Sequence, residues 1–395
     1  MTYPALAMLG LAVAILIALL AWGYVRLRGR RLPSNAAAAM IAAFVIVAAL
    51  TAIFDNLMIR LDLFSYPPEL LAGWRIGLAP IEDFSYPLAG VIALPVIWSA
   101  IERASAQRRA DFQQVVWASR PVSWINTAFP FGATYLLTTR EIDWVLVVGV
   151  LYFLIPYNLA MYGINDVFDY ASDIANPRKG GIEGALLAPR LHRPLLIAVA
   201  ITNIPLLVWL ATAGGPAAWG AVAVSAFAVV AYSAPRLRFK ERPVLDSVTS
   251  SAHFVSPAVV GLALADAQVG LGALVTLVAF FLWGMAAHAF GAIQDVLPDR
   301  KAGIGSIATA LGARRTARFA LTLWVIAGLA MLLTPWPGPL AAVLAVPYVL
   351  NGASYWNVTD ESSARVNVAW RRFIWMNYVS GFLSTLILIL VWTSS

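Results

Sequence analysis

Two groups of carboxylates interrupt an otherwise very apolar chain: Asn165-Asp166-x-x-Asp169-x-x-x-Asp173, and Asp295-x-x-x-Asp299 about a third of the chain later. On a helix, Asn165, Asp169 and Asp173 fall along one face, with Asp166 three residues before Asp169. Asp295 and Asp299 repeat the four-residue step, and Pro298 between them is expected to kink or end the helix. Carboxylates beside lipid are expensive unless they hold cations. Mg²⁺ suits such places, because it takes a few carboxylates plus phosphate oxygens rather than an all-protein cage. Two clusters facing one interface would hold Mg²⁺ ions around a diphosphate, with Asn165, Asp169, Asp173, Asp295 and Asp299 as ligands and Asp166 in support. Cations for the phosphate stand nearby: Arg178 and Lys179 after the first cluster, Arg300 and Lys301 after the second, and Arg236, Arg238 and Lys240 after Tyr232-Ser233. A single cluster could equally mark a helix end at the membrane interface. Two clusters, each followed by basic residues, favour the metal reading.

The elements that must carry these residues are membrane helices. Of 395 residues, 61% are hydrophobic and 12% charged, a composition that makes an all-α integral membrane protein. The absence of cysteine excludes disulfides, thiolate catalysis and Cys-ligated metals. A net charge of +7 would point to nucleic acid in a soluble protein, but here the positive-inside rule accounts for it and no nucleic-acid partner is expected. Apolar runs predict about twelve transmembrane helices, at 3–25, 36–58, 80–101, 121–138, 143–166, 194–213, 216–233, 246–265, 270–295, 316–334, 337–356 and 371–393. The first lacks a basic leader and reads as an anchored helix rather than a signal peptide. With the N-terminus outside, 24 of the 27 Lys and Arg fall in cytoplasmic loops and only Arg60, Arg75 and Arg140 outside. That alternation puts both acidic clusters on the cytoplasmic side of a multi-pass protein of the cell membrane. The polar stretch 102–120 separates three helices from nine, predicting domains at 1–110 and 115–395.

The two acidic motifs in this order, the Tyr232-Ser233-x-Pro235 stretch and Asp295-Val-Leu-Pro-Asp299-Arg-Lys-Ala-Gly resemble the UbiA superfamily of intramembrane prenyltransferases over residues 115–395. The resemblance implies a nine-helix bundle that uses Mg²⁺ to ionise an allylic diphosphate, whose carbocation alkylates a lipid-soluble acceptor. It implies that Asn165, Asp169, Asp173, Asp295 and Asp299 hold Mg²⁺, with Lys179, Arg238 and Lys301 first among the cations for the diphosphate. His288, seven residues before Asp295, and His253, mid-span, are each read either as acceptors of a proton from the product cation or as buried histidines bonded to a neighbouring helix.

The first 110 residues carry a second carboxylate group: Asp55 at the end of the second span and Pro80-Ile81-Glu82-Asp83 at the start of the third, on the outer side by the same alternation. Pro and acids also suit an ordinary helix start. Three short spans with Phe54-Asp55-Asn56 and Pro80-Ile81-Glu82-Asp83-Phe84 resemble a subunit of the small membrane lycopene cyclases, in which two three-helix subunits combine. That likeness implies acid-initiated ring closure of a polyene end, with Glu82 first, then Asp83, and Asp55 as partner. Together the two halves resemble enzymes of C50 carotenoid synthesis. They imply a bifunctional protein that transfers dimethylallyl units to lycopene ends and supplies one cyclase subunit, with a second small subunit as partner. The alternative is a prenyltransferase acting on a quinone precursor, haem or polar lipid, with a structural N-terminal module. A transporter with intramembrane carboxylates is a remoter one, since no inverted repeat is evident.

Overall fold

The computed structural model describes residues 2–27, 35–101, 106–170, 174 and 187–394; Asp173, Arg178 and Lys179 lie outside these. The chain is a multi-pass integral membrane protein. It divides into two compact units, Met1–Phe112 and Gln113–Ser395.

In the first unit, helices α1 (Tyr3–Leu27) and α2 (Ala36–Arg60) both pack on α3 (Ser85–Ile101). The link between α2 and α3 is not a slack loop. It contains an antiparallel hairpin of β1 (Arg75–Ile76) and β2 (Ala79–Pro80), pairing Arg75 with Pro80 and Ile76 with Ala79, and a 3-10 turn over Ile81–Phe84. Asn56, in the last turns of α2, holds this hairpin by its tip. Its Nδ2 donates to the Ile76 carbonyl at 2.8 Å, and its Oδ1 accepts from Leu78 N–H at 2.6 Å. Gly77 makes the turn possible, with φ +66° and the Asn56 amide where a Cβ would stand.

The boundary falls within α4 (Ala106–Ala118), and the second unit runs on through α5 (Trp124–Thr139), α6 (Trp144–Leu154), α7 (Pro156–Phe168), α8 (His192–Ala213) and α9 (Pro216–Ser233). It closes with α10 (Leu245–Leu264), α11 (Leu271–Ala292), α12 (Val296–Ala302), α13 (Ile307–Leu311), α14 (Ala313–Met331), α15 (Ala345–Ala353) and α16 (Asn367–Ser394). One core gathers Phe131, Tyr152, Phe153 and Tyr157 from α5, α6 and α7; the other gathers Phe290, Trp324, Tyr348 and Phe373 from α11, α14, α15 and α16.

Among the described residues nine helical segments are long and apolar enough to span a membrane, three fewer than expected from hydropathy. The other three expected spans are helical but fall short. α5 has 16 residues, Gly338–Ala353 is a short apolar helix, and α14 carries Arg314, Arg315 and Arg318 in its first two turns. One span, Trp144–Phe168, is broken at Ile155-Pro156 into α6 and α7. Proline removes a donor there, and side chains take up the freed carbonyls. Asn158 Nδ2 donates to Phe153 O at 2.9 Å and Leu154 O at 3.1 Å, Thr127 Oγ1 to Phe153 O at 2.7 Å, and Asn203 Nδ2 to Pro156 O at 2.9 Å.

Candidate functional site

The first acidic motif sits at the C-terminal end of α7, where Asp169 is the capping residue. Its side chains meet the loop after α9. Ser233 Oγ donates to Asn165 Oδ1 at 2.7 Å, and Lys240 Nζ to the same oxygen at 3.2 Å. Lys240 also pairs with Asp169, and Arg238 Nη2 stands 3.6 Å from Asp169 Oδ1 while pairing with Glu241. The ammonium thus bridges an amide oxygen and a carboxylate. Burial lowers it to about 8, against the opposite pull of Glu241 and Asp166. Arg238 takes a left-handed backbone conformation, φ 39°, to start the 3-10 turn Phe239–Glu241 that brings Lys240 inward. Asp166 behaves differently from its neighbours. It is 1% exposed, and both oxygens accept from Arg120, at 2.9 and 2.6 Å. Arg120 in turn lies over the Tyr162 ring.

The second motif begins where α11 gives way to a 3-10 turn at Ile293–Asp295, and Asp299 follows on α12; both side chains are half-buried. The helix is interrupted in the turn before Pro298, as a proline there is expected to do, and resumes as α12 with Pro298 in its first turn, where a missing N–H costs nothing. Arg300 turns away from this group. It pairs with Asp360 and donates to the Thr309 carbonyl from Nη2 at 3.1 Å, and Asp360 also accepts from Ala313 N–H at 2.7 Å at the start of α14. Lys301 is exposed. Tyr232 Oη lies 3.2 Å from His288 Nε2, which ties α9, one residue before the Asn165 contact, to α11, the helix that leads into the turn at Asp295.

Sequence reading missed Arg120, which is separated from Asp166 by 46 residues, and Asp246. Asp246 is fully buried in the first turn of α10. It reads as an ordinary helix-start acid, and only the fold shows that it reaches α13.

In the first unit a groove of about 810 Å³ runs between α2 and α3, lined by small and apolar residues such as Val47, Gly90 and Leu94, and carries Asp55, Tyr66 and Asp83. Tyr66 Oη donates to Asp83 Oδ2 at 2.9 Å, and the Asp55 and Asp83 carboxyls stand beside each other. Burial and then the Asp83 contact push the Tyr66 hydroxyl up, so it stays a donor. Glu82 is buried and does not line the groove. Its Oε1 accepts from Ala72 N–H at 2.6 Å, and its Oε2 has no hydrogen-bond partner among the described residues.

Residues 127–377 match the UbiA prenyltransferase family. The C(50) beta-cyclic carotenoids biosynthesis protein LbtBC of Dietzia sp. (strain CQ4) is 44% identical over 89% of this chain and 90% of its own length. A lycopene elongase/hydratase of Corynebacterium glutamicum is 48% identical over 70% of this chain and 96% of its own. Among solved structures, a UbiA homolog from Archaeoglobus fulgidus bound to GPP and Mg²⁺ aligns with a TM-score of 0.52 at 19% identity, over 68% of this chain and 99% of that one. That likeness is one of fold.

Proposed function

Because the chain belongs to the UbiA prenyltransferase family, we propose that it is a lycopene elongase of C50 carotenoid synthesis joined to one subunit of a carotenoid cyclase. The observation that carries the first half is the meeting of Asn165, Asp169, Arg238 and Lys240 at the end of α7. The donor types fit Mg²⁺, being hard oxygens from one amide and several carboxylates. Two of these residues, Asn165 and Asp169, already share the positive charge of Lys240, although among the described residues no three carboxylates stand close enough together to hold the ion. Asn165, Asp169, Asp295 and Asp299 would hold the metal, with Asp173 continuing the first motif. Bound there, Mg²⁺ neutralises the charge that develops on the departing diphosphate. Lys240 and Arg238 meet the phosphate oxygens, with Arg178, Lys179 and Lys301 as further cations. Asp166, held by Arg120, fixes the orientation of the helix end rather than binding metal. Arg300 braces α12 against α13 and α14.

The bond change is a substitution. The allylic C–O bond breaks with its electrons leaving on the diphosphate, and the terminal double bond of lycopene forms a C–C bond to the dimethylallyl carbon. A cation remains on the polyene. Once that cation has lost a proton, closing a ring needs an acid to protonate the polyene end and a base to take a proton back after the ring bond forms. The apolar groove of the first unit offers the Asp55–Asp83 pair with Tyr66. Glu82 supports that pair by anchoring the loop at Ala72. A second small subunit completes the cyclase. The LbtBC relative, matched along 90% of its length, favours both halves.

Expression in a lycopene-accumulating cell, followed by mass analysis of the pigments, tests the proposal. Addition of C5 units is the expected outcome, and unchanged lycopene with good expression refutes it.

A further inference from the structure

Behind the first motif lies a file of polar side chains that the metal and diphosphate do not use. Asp246 is fully buried, accepts from Ile307 N–H at 2.7 Å and Ser247 N–H at 2.7 Å, and takes the Ser247 hydroxyl at 3.3 Å. Ser247 Oγ is 3.1 Å from His288 Nδ1, and His288 Nε2 is 3.2 Å from Tyr232 Oη. A carboxylate only accepts, so its end of the file sets the direction of every bond. With the Ser247 proton directed to Asp246, the serine oxygen is free to accept from His288. The imidazole then carries its proton on Nδ1, and its Nε2 lone pair accepts from the Tyr232 hydroxyl. Tyr232 is mostly buried, and its neighbour Ser233 bonds Asn165, so the file ends one residue along α9 from a contact of the first motif.

We propose that Tyr232, His288, Ser247 and Asp246 form a proton-accepting relay that ends the prenyl transfer by taking a proton from the polyene cation. The inference rests on the elongase reading above. In the step, a C–H bond next to the cationic carbon breaks and its electron pair forms a C=C bond. The proton goes to Tyr232 Oη as the phenol's own proton passes to His288 Nε2, and Asp246 stabilises the imidazolium through Ser247. Tyr232 is the proton acceptor; Ser247 and Asp246 are positioning residues. His253 is a different case. Its ring packs edge-on against Tyr232 at 5.1 Å and its Nε2 is buried with no hydrogen-bond partner among the described residues, so it stands outside the file. A competent relay directs the cation to an olefin, whereas a broken one leaves it to water and a hydroxylated product.

The test compares full-length wild type with Tyr232→Phe, Ser247→Ala, His288→Gln and His253→Phe in lipid nanodiscs with Mg²⁺, dimethylallyl diphosphate and lycopene in ¹⁸O-water. Ser247→Ala and His288→Gln should still release diphosphate, while the ratio of olefinic to ¹⁸O-hydroxylated product falls roughly tenfold or more, the low end of general-base effects. Tyr232→Phe should shift it the same way, and His253→Phe should not. An unchanged ratio in the relay variants, a shift confined to His253→Phe, or a wild type that makes only hydroxylated product overturns the relay. A wild type that releases no diphosphate refutes the elongase reading instead. The relay is then judged by ¹⁵N NMR of the chain's three histidines. His288 is expected as the Nδ1–H tautomer, lost in Ser247→Ala, and an Nε2–H tautomer in the wild type overturns the proposal.

Discussion

Five cations flank the acidic motifs among the described residues, and their contacts assign them different work. Lys240 and Arg238 face Asn165 and Asp169, whereas Arg300 is held by Asp360 and Thr309. Lys240→Met is therefore expected to raise the KM for dimethylallyl diphosphate, and Arg300→Ala to lower the thermal midpoint while leaving that KM in place. Steady-state kinetics beside a melting curve separates the two. Asp169→Ala should reduce diphosphate release by about a hundredfold or more with helical content intact, on the scale of losing one electrostatic partner of a transition state. Wild-type turnover in that variant would remove Asp169 from the metal site. The Arg120–Asp166 pair makes a separate case, since removing one partner strands a buried charge. Arg120→Met should destabilise the second unit by about 3–5 kcal/mol, and adding Asp166→Leu should recover much of it. Equal stability of the single and double variants would argue against the pair's burial.

At the scale of elements, the hairpin β1–β2 and the start of α14 are both positioned by single polar side chains. Gly77→Ala would force a Cβ into the Asn56 amide at a backbone angle that side chains rarely adopt. The variant is expected to lose ring closure in the presence of the cyclase partner and to keep C5 addition, as read from the ratio of linear to cyclic C50 pigment. Asp360 ties α12 to α14, and its carboxyl is held below the usual carboxylate range by the Ala313 N–H and then by Arg300. A depressed native pKa adds stability above the unfolded value, near ~3.9, and loses it as pH falls through the native one. Asp360→Asn should thus melt earlier than wild type at pH 7, and the gap should close below about pH 4, the same unfolded reference. A gap independent of pH would mean that the charge is irrelevant. These devices were poorly legible beforehand. Asn56 looked like part of a cyclase motif, and Asp360 sat in a polar loop, because their partners are far along the chain. The acid motifs were legible because charges at a lipid boundary stand out by cost alone. Hydropathy marked a span at 316–334 because that window begins past Arg314 and Arg315, which the helix α14 includes at its head.

The whole molecule joins two units whose chemistry can be read separately. The Corynebacterium relative is matched over 96% of its own length by 70% of this chain, so a protein of the second unit's size occurs alone. Residues 113–395 expressed by themselves are expected to add C5 units to lycopene at a rate within a few-fold of the full chain, and to give no cyclic product even with the cyclase partner. An insoluble or inactive fragment would mean that the first unit is needed for assembly. The groove in the first unit placed Asp55 and Asp83 together but left Glu82 behind α3's first turn, a difference that motif spacing alone could not reveal. The broken span α6–α7 has a consequence for biosynthesis. Thr127 precedes the break and Asn158 lies within it, but Asn203, which takes the Pro156 carbonyl, belongs to a helix translated later. When this span first enters the bilayer, the Asn203 amide that reinforces the Pro156 carbonyl has not yet been made, and Thr127 and Asn158 alone hold the break. The tie between α8 and the arm that carries Asn165 and Asp169 is thus added only as the bundle assembles, after the break itself has formed.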